Sequence, residues 1–319
     1  MSVTINEQTV YHDIINRTDK GNKDNISRTV HYERFYFEHP EIKWAFLAGM
    51  VSRNAGYSMT DLKGEWLKRA LGQRERSLLF YTYERANWLI FQDAYPQLLL
   101  YEWQKKTGRD WFHLLPSFHG SAFMMKEWRR FTSCKDGERL YVSQIINEQN
   151  VIQQPVLTHP VYRRRVFLSL PFRLQNWLHY STVLFPTVDG KLYGFSVHGF
   201  RKLSNRVLLG KKLASLLFDS QYSASFRQFA AEVMPTGSRH DYEQFVYPKK
   251  ICESPMLRRV YPFIQHHRSD KTDWSKRSSV NPSWFCPVHQ ETTEMTEWYK
   301  QKQRQLKAGI LLKEILLKK

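Results

Sequence analysis

Between Leu78 and Trp103 the chain reads LLFYTYERANWLIFQDAYPQLLLYEW, a run that is almost continuously apolar and aromatic. It is too long for one strand. A helix that is apolar on every side belongs inside a protein, so this stretch is expected to be the buried centre of a helical domain. Pro96 is expected to kink or break it near Tyr95, because proline lacks an N–H and clashes with the carbonyl one turn back.

The flanking chain carries helical spacing punctuated by caps and stops. Asp24 or Asn25 can cap a helix through Arg34 and Phe37. A second begins at His39-Pro40, where proline's missing N–H costs nothing, and Gly56 reads as its end. Ser58 or Thr60 then caps a helix running to Gly72, with Asp61 at its positive end. Beyond Gly108, helical patterns cover Ser121–Phe131, 138–154, 204–218 and 223–233, and Ser238 opens another to Tyr247. One interruption stands out: Val188-Asp189-Gly190 between two apolar runs, 182–185 and 191–197, is a hairpin signal.

These patterns predict a mainly α protein, a single globular multi-helix domain with at most a small β-hairpin. A chain of 319 residues can bury a sizeable core, and 15% aromatics argue for a folded protein. Residues 1–24 read as a polar segment, with RTDKGNKDN as a loop, and 25–247 as the helical core. Prolines 248, 255, 262, 282 and 287 mark 248–292 as irregular chain lying over that core. Residues 293–319 read as a basic amphipathic helix, able to dock on the domain, bind a protein partner or lie on an acidic membrane.

Three cysteines in 319 residues are too few for a disulfide framework. The N-terminus is polar where a signal peptide needs an apolar run, and no run of about 18 apolar residues exists for a membrane span. The expected compartment is the reducing cytoplasm.

The words HPEIKWAFLAGMVSRNAGYSMTDLKGEW (39–66) and ERANWLIFQDAYPQLLLYEW (84–103) resemble the YppC-like family of Bacillus-type bacteria. The similarity extends over most of the chain, excepting the first two dozen residues and the tail. That family is catalogued as a domain of unknown function. The resemblance implies a cytoplasmic bacterial protein standing as its own domain, and brings no activity, ligand or catalytic residue.

Function must then be sought in the residues. Glu84, Arg85, Asn87 and Asp93 are polar groups that an apolar setting makes costly, so they either line a pocket or belong to two structural networks tying neighbouring helices together. On an unbroken helix Glu84 and Asp93 lie nearly opposite each other and cannot share one ion. Ser52, Arg53 and Asn54 before Gly56 invite a helix-turn-helix reading, but Asp61 and Glu65 give the recognition helix the wrong sign for DNA. Cys286 and His289, with Cys252 and His266, are a loose zinc pattern that lacks the usual paired spacing. No Walker or Rossmann glycine loop occurs, so no cofactor is expected.

Charge is the strongest bulk signal. The net +18 is concentrated in residues 101–240, which hold 20 basic and 9 acidic groups. Arg163, Arg164 and Arg165, with Arg201, Lys202, Arg206, Lys211 and Lys212, are the candidate nucleic-acid contacts. The leading expectation is a non-enzymatic binding or accessory protein, with nucleic acid as one partner. The alternative is an enzyme or small-molecule binder using the Glu84–Asp93 region.

Overall fold

In the computed structural model the apolar run lies within a helix of 35 residues, Gln73–Thr107, which is the fifth of the chain, α5. It starts at Gln73, five residues before the apolar run, because Gly72 opens it: the Gly72 N–H donates to Glu75 Oε2 at 2.9 Å. Gly108, at φ +70°, closes it in the left-handed conformation. The helix does not break at Pro96. Leu98, Leu99 and Leu100 are all fully buried beyond the proline, as Phe91 is before it. Packing on all sides of that turn outweighs the roughly 3 kcal/mol that an interior proline costs. The first turns are different in character, with Tyr81 left 46% exposed.

The structure describes residues 6–159, 182–197, 199–249, 253–268, 270–288 and 294–317. Helices α1 (Glu7–Gly21), α2 (Asn25–Glu38), α3 (Lys43–Asp61) and α4 (Glu65–Ala70) precede α5. After it come α6 (Ala122–Cys134), α7 (Gly137–Val151), α8 (Leu203–Leu217), α9 (Ser223–Glu232), α10 (His240–Val246), α11 (Leu257–Val260) and α12 (Thr296–Leu317). The fold is mainly α, as the sequence patterns predict. Among the described residues no helix is long and apolar enough to cross a membrane.

Two elements differ from the sequence reading. The polar N-terminal stretch is not loop as far as Asn25. It forms α1, and RTDKG is its last turn. Val10 and Ile14, one turn apart, are fully buried with Thr18, and a stripe this narrow is easily missed in a polar sequence. Gly56 does not end α3. A Cβ there would come within 3.1 Å of the Gly237 Cα and 3.2 Å of Asn25 Nδ2, so glycine is required by close packing, not by a turn. The helix-turn-helix reading therefore falls, since its turn is continuous helix.

The only strands described, β1 (Thr182–Pro186) and β2 (Leu192–Ser196), form the antiparallel hairpin expected around Asp189-Gly190, in register Leu184 to Gly194. Gly190 takes φ +82° in its turn. The far edge of β1 is not left bare. The Asn54 side chain on α3 donates to the Thr182 carbonyl and accepts from the Leu184 N–H, both at 3.0 Å, in place of a third strand. On the other side, Met295 N–H donates to the Leu192 carbonyl at 2.7 Å and anchors the start of α12.

Position along α5 decides how much a side chain matters. Leu99→Ala is expected to cost about 2–5 kcal/mol of stability, and Tyr81→Ala on the same helix less than about 1 kcal/mol; urea denaturation of both variants measures the contrast.

Candidate functional site

The polar residues of α5 separate into two closed networks. Glu84 accepts from Arg28 Nη1 at 3.0 Å and Nη2 at 2.5 Å, both partners being buried, and His266 Nε2 lies 3.7 Å away. Burial alone would push Glu84 up; the Arg28 guanidinium and His266 outweigh it and hold the carboxyl below its usual range. Asp93 Oδ2 accepts from Gln97 Nε2 (2.9 Å) and Asn147 Nδ2 (2.6 Å), with Arg268 Nη1 3.6 Å from its other oxygen. Burial wins here and raises Asp93. Gln97 Oε1 in turn accepts from Trp128 and Gln144, and Asn147 Oδ1 from Ser121 and Trp274. Arg85 reaches the His267 carbonyl at 2.8 Å. The structure does not bring these four residues together in one pocket. Of the four, only Asn87 reaches the cavity described next, with its amide donating to the Tyr83 carbonyl.

Among the described residues a cavity of about 740 Å³, partly open to solvent, lies between α3, α5, α7 and α8 and extends to α4 and α12. Its walls are chiefly aliphatic, including Leu47, Ala48, Val51, Ala86, Ile90, Ile152 and Leu213. Tyr32 and Glu148 also line it. Glu148 sits on α7 three residues after Ile145 and four before Ile152, within the apolar stripe of that helix. Trp44 Nε1 donates to Glu148 Oε2 at 3.2 Å and Gln149 Nε2 to Oε1 at 2.9 Å. Protein surrounds Glu148, yet it keeps intermediate accessibility, because the cavity lies in front of it. Burial pushes its carboxyl up to about 7, which those two hydrogen bonds only partly oppose. The Tyr32 hydroxyl is buried and has no hydrogen-bond partner among the described residues. Burial first, and then the negative charge of Glu148, raise its pKa, which places the two groups within electrostatic reach of each other.

Other polar groups on the cavity wall are paired. Arg239 Nε lies 2.7 Å from Asp61 Oδ1, and Arg239 Nη1 donates to Glu243 and to Gln303 of α12, each at 3.1 Å. Tyr242 donates to the Tyr299 hydroxyl, and Tyr299 to Glu243. Burial raises Asp61 to about 6 despite Arg239.

The basic cluster of α8 is split by its packing. Arg206 is 2% exposed, and its guanidinium donates to neutral oxygens of Gln149, Gln153, Phe200 and Arg201. Desolvation lowers it to about 10. Lys211 is buried too, donating to the Cys286 carbonyl at 2.5 Å. Of this cluster Arg201 and Lys202 are exposed and Lys212 is half-buried, while Arg206 and Lys211 face inward because α8 turns that side onto the fold. Arg163, Arg164 and Arg165 lie outside the described residues, as do Cys252 and His289 of the zinc pattern. The remaining two members of that pattern have different neighbours: His266 sits against Glu84 and Trp88, Cys286 beside Lys211. A different cluster, Glu38, His39 and Glu102, brings three potential ligand atoms within 4.8 Å. Arg17 already grips Glu102 through both oxygens (3.1 and 2.7 Å) and Lys106 binds it as well, so its charge is neutralised by the chain itself.

Sequence reasoning missed Glu148 and Tyr32. The available signal was an acid placed on an apolar helical stripe, which marks a buried carboxyl but not the cavity before it.

Comparison with known proteins places the chain in a family. The profile described as "Protein of unknown function (DUF2515)" matches residues 20–300. The chain is similar to a protein of Bacillus subtilis (strain 168) described as "Uncharacterized protein YppC", with 45% identity across 99% of this chain and 100% of the relative. No solved structure matches the chain.

Two outcomes test the electrostatics. Glu148 binds its proton more tightly folded than unfolded, so its penalty is absent below pH about 4.5 and grows until pH passes about 7. Glu148→Gln is therefore expected to gain stability relative to the parent as pH rises from 5 to 8, by at most about 3 kcal/mol, in urea titrations at both pH values. Arg28→Met leaves Glu84 buried and unpaired, and is expected to cost about 3–5 kcal/mol; thermal melts should show partial recovery in the Arg28→Met/Glu84→Leu double variant.

Proposed function

The chain belongs to the DUF2515 family of unknown function, and on that premise we propose that it is a non-enzymatic binding protein. Its cavity takes an elongated, mostly apolar molecule ending in an uncharged, hydrogen-bonding group. The observation that carries this reading is a mostly apolar cavity of about 740 Å³, partly open to solvent, with the half-buried carboxyl of Glu148 on its wall. Ligand sites have this make-up: a concave, largely apolar volume of about 300–1,000 Å³ and a few polar groups that fix orientation.

The polar residues specify the head group. Arg28 and Glu84 satisfy each other, Arg206 is satisfied by neutral oxygens, and Asp61 is held by Arg239. The spare lone pairs of Glu148 remain to meet a ligand. Glu148, with its pKa near 7, is partly ionised at neutral pH and repels a carboxylate set beside it. A hydroxyl or amide can donate to Glu148 instead. Long-chain alcohols and acylglycerols have this chemistry; fatty acids at high pH do not.

Nucleic-acid contact through 201–212 is the weaker reading, because Arg206 and Lys211 are buried.

A fluorescent apolar probe displaced by competitors tests the proposal. A long-chain alcohol is expected to compete at least about tenfold better than the matching fatty acid at pH 8. Ala86→Phe, which narrows the cavity, is expected to weaken probe and alcohol alike. A protein that binds neither, or binds both unchanged after Ala86→Phe, would refute it.

A further inference from the structure

Helix α12 rests on the body of the protein through Tyr299 and Ile310, which are buried, and half-buried Leu306. Charged side chains extend those contacts: Glu314 accepts from Arg69 Nε at 2.8 Å and Nη2 at 2.5 Å, and Lys313 Nζ donates to the Ala70 carbonyl at 3.3 Å. Lys307 lies 4.7 Å over the Trp66 ring and 3.5 Å from Glu253. Past Ile310 a second apolar group faces out. Leu311 is 44% exposed, Leu312 59%, Ile315 60% and Leu316 65%. At about 100° per residue these four occupy one arc of roughly 140° over the last two turns. Rotating the helix to bury them would expose Ile310, so that contact and the Glu314–Arg69 pair hold the apolar arc toward solvent.

We propose that this arc docks on an anionic lipid bilayer. The charge around it fits that surface. Residues 296–317 carry five basic and two acidic groups, one of the acids being spent on Arg69. Exposed Arg304 lies on the outward arc two turns before Leu311, and exposed Lys68 is on α4 beneath. Apolar side chains enter the acyl boundary while basic groups meet the phosphates, which is how an amphipathic helix lies in an interface. A second copy of the chain fits less well. The arc offers four side chains on two turns of helix, against roughly 20–30 residues a side in a stable protein interface. Two copies of a chain with net charge +18 also repel each other.

The test uses the full chain and sedimentation with vesicles of phosphatidylglycerol and phosphatidylcholine in equal parts, beside vesicles of phosphatidylcholine alone. Binding is expected to the anionic vesicles, to weaken with added salt, and to be slight on the neutral ones. Leu312→Gln/Ile315→Gln changes only exposed side chains outside the cavity, so its melting temperature and cavity-probe binding should match the parent. Its partition onto anionic vesicles is expected to fall at least about tenfold. The proposal is overturned if the parent stays in solution with anionic vesicles, or if the double variant binds them as well as the parent. It is equally overturned if the parent is a dimer that the double variant converts to monomer, which would give the face to a second copy.

Discussion

The burial of charged and amide groups on α5 is the constraint that the surrounding architecture answers. Glu84, Asp93, Gln97 and Glu102 sit on a helix whose central turns are closed to water, and a buried charge without a partner costs several kcal/mol. Each of these groups draws in a different element. Arg28 brings α2 to Glu84, Arg17 brings α1 to Glu102, Asn147 brings α7 to Asp93, and Trp128 brings α6 to Gln97. Apolar packing alone is non-directional and leaves helices free to slide or rotate. Paired hydrogen bonds at four heights along one long helix specify which neighbour sits where. A similar pair, Arg53 with Glu33 (2.5 and 2.9 Å), locks α3 to α2, and Arg53 also donates to the Ala230 carbonyl in the last turn of α9.

Against that tightly paired scaffold, the cavity is where pairing stops. Around it the aliphatic residues of α3, α5, α7 and α8 meet space, and Glu148 faces that space with capacity to spare. The proposed lipid-like ligand and the proposed membrane contact of α12 rest on separate observations, one internal and one external. They are chemically compatible. A protein that carries an apolar molecule with a polar end gains from a surface that rests where such molecules reside, and Gln303, Leu306 and Lys313 place α12 on the cavity wall as well as at the surface.

Much of the architecture was legible in the residues. The long aromatic run, the Asp-Gly hairpin, the cap at Asp24 and the helical pattern from Ser121 all carry local signals, and local signals survive folding. The failures share one cause. Val10 and Ile14 were too few to mark α1, and Gly56 looked like a stop because its real duty is to let Gly237 approach from 181 residues away. The basic cluster on α8 read as surface because composition does not say which side of a helix faces inward; Arg206 and Lys211 are inside.

Periodicity and turn chemistry in the chain itself determined the helical class, the position of the hairpin and the hidden helix at the centre, since each depends on residues within a few positions of one another. Which polar group pairs with which was decided only by tertiary structure. So were the cavity in front of Glu148, the unpartnered hydroxyl of Tyr32 and the outward turn of the α12 leucines. A void, a missing partner or a rotated helix is a relation between segments far apart in the chain, and no single stretch of sequence contains it.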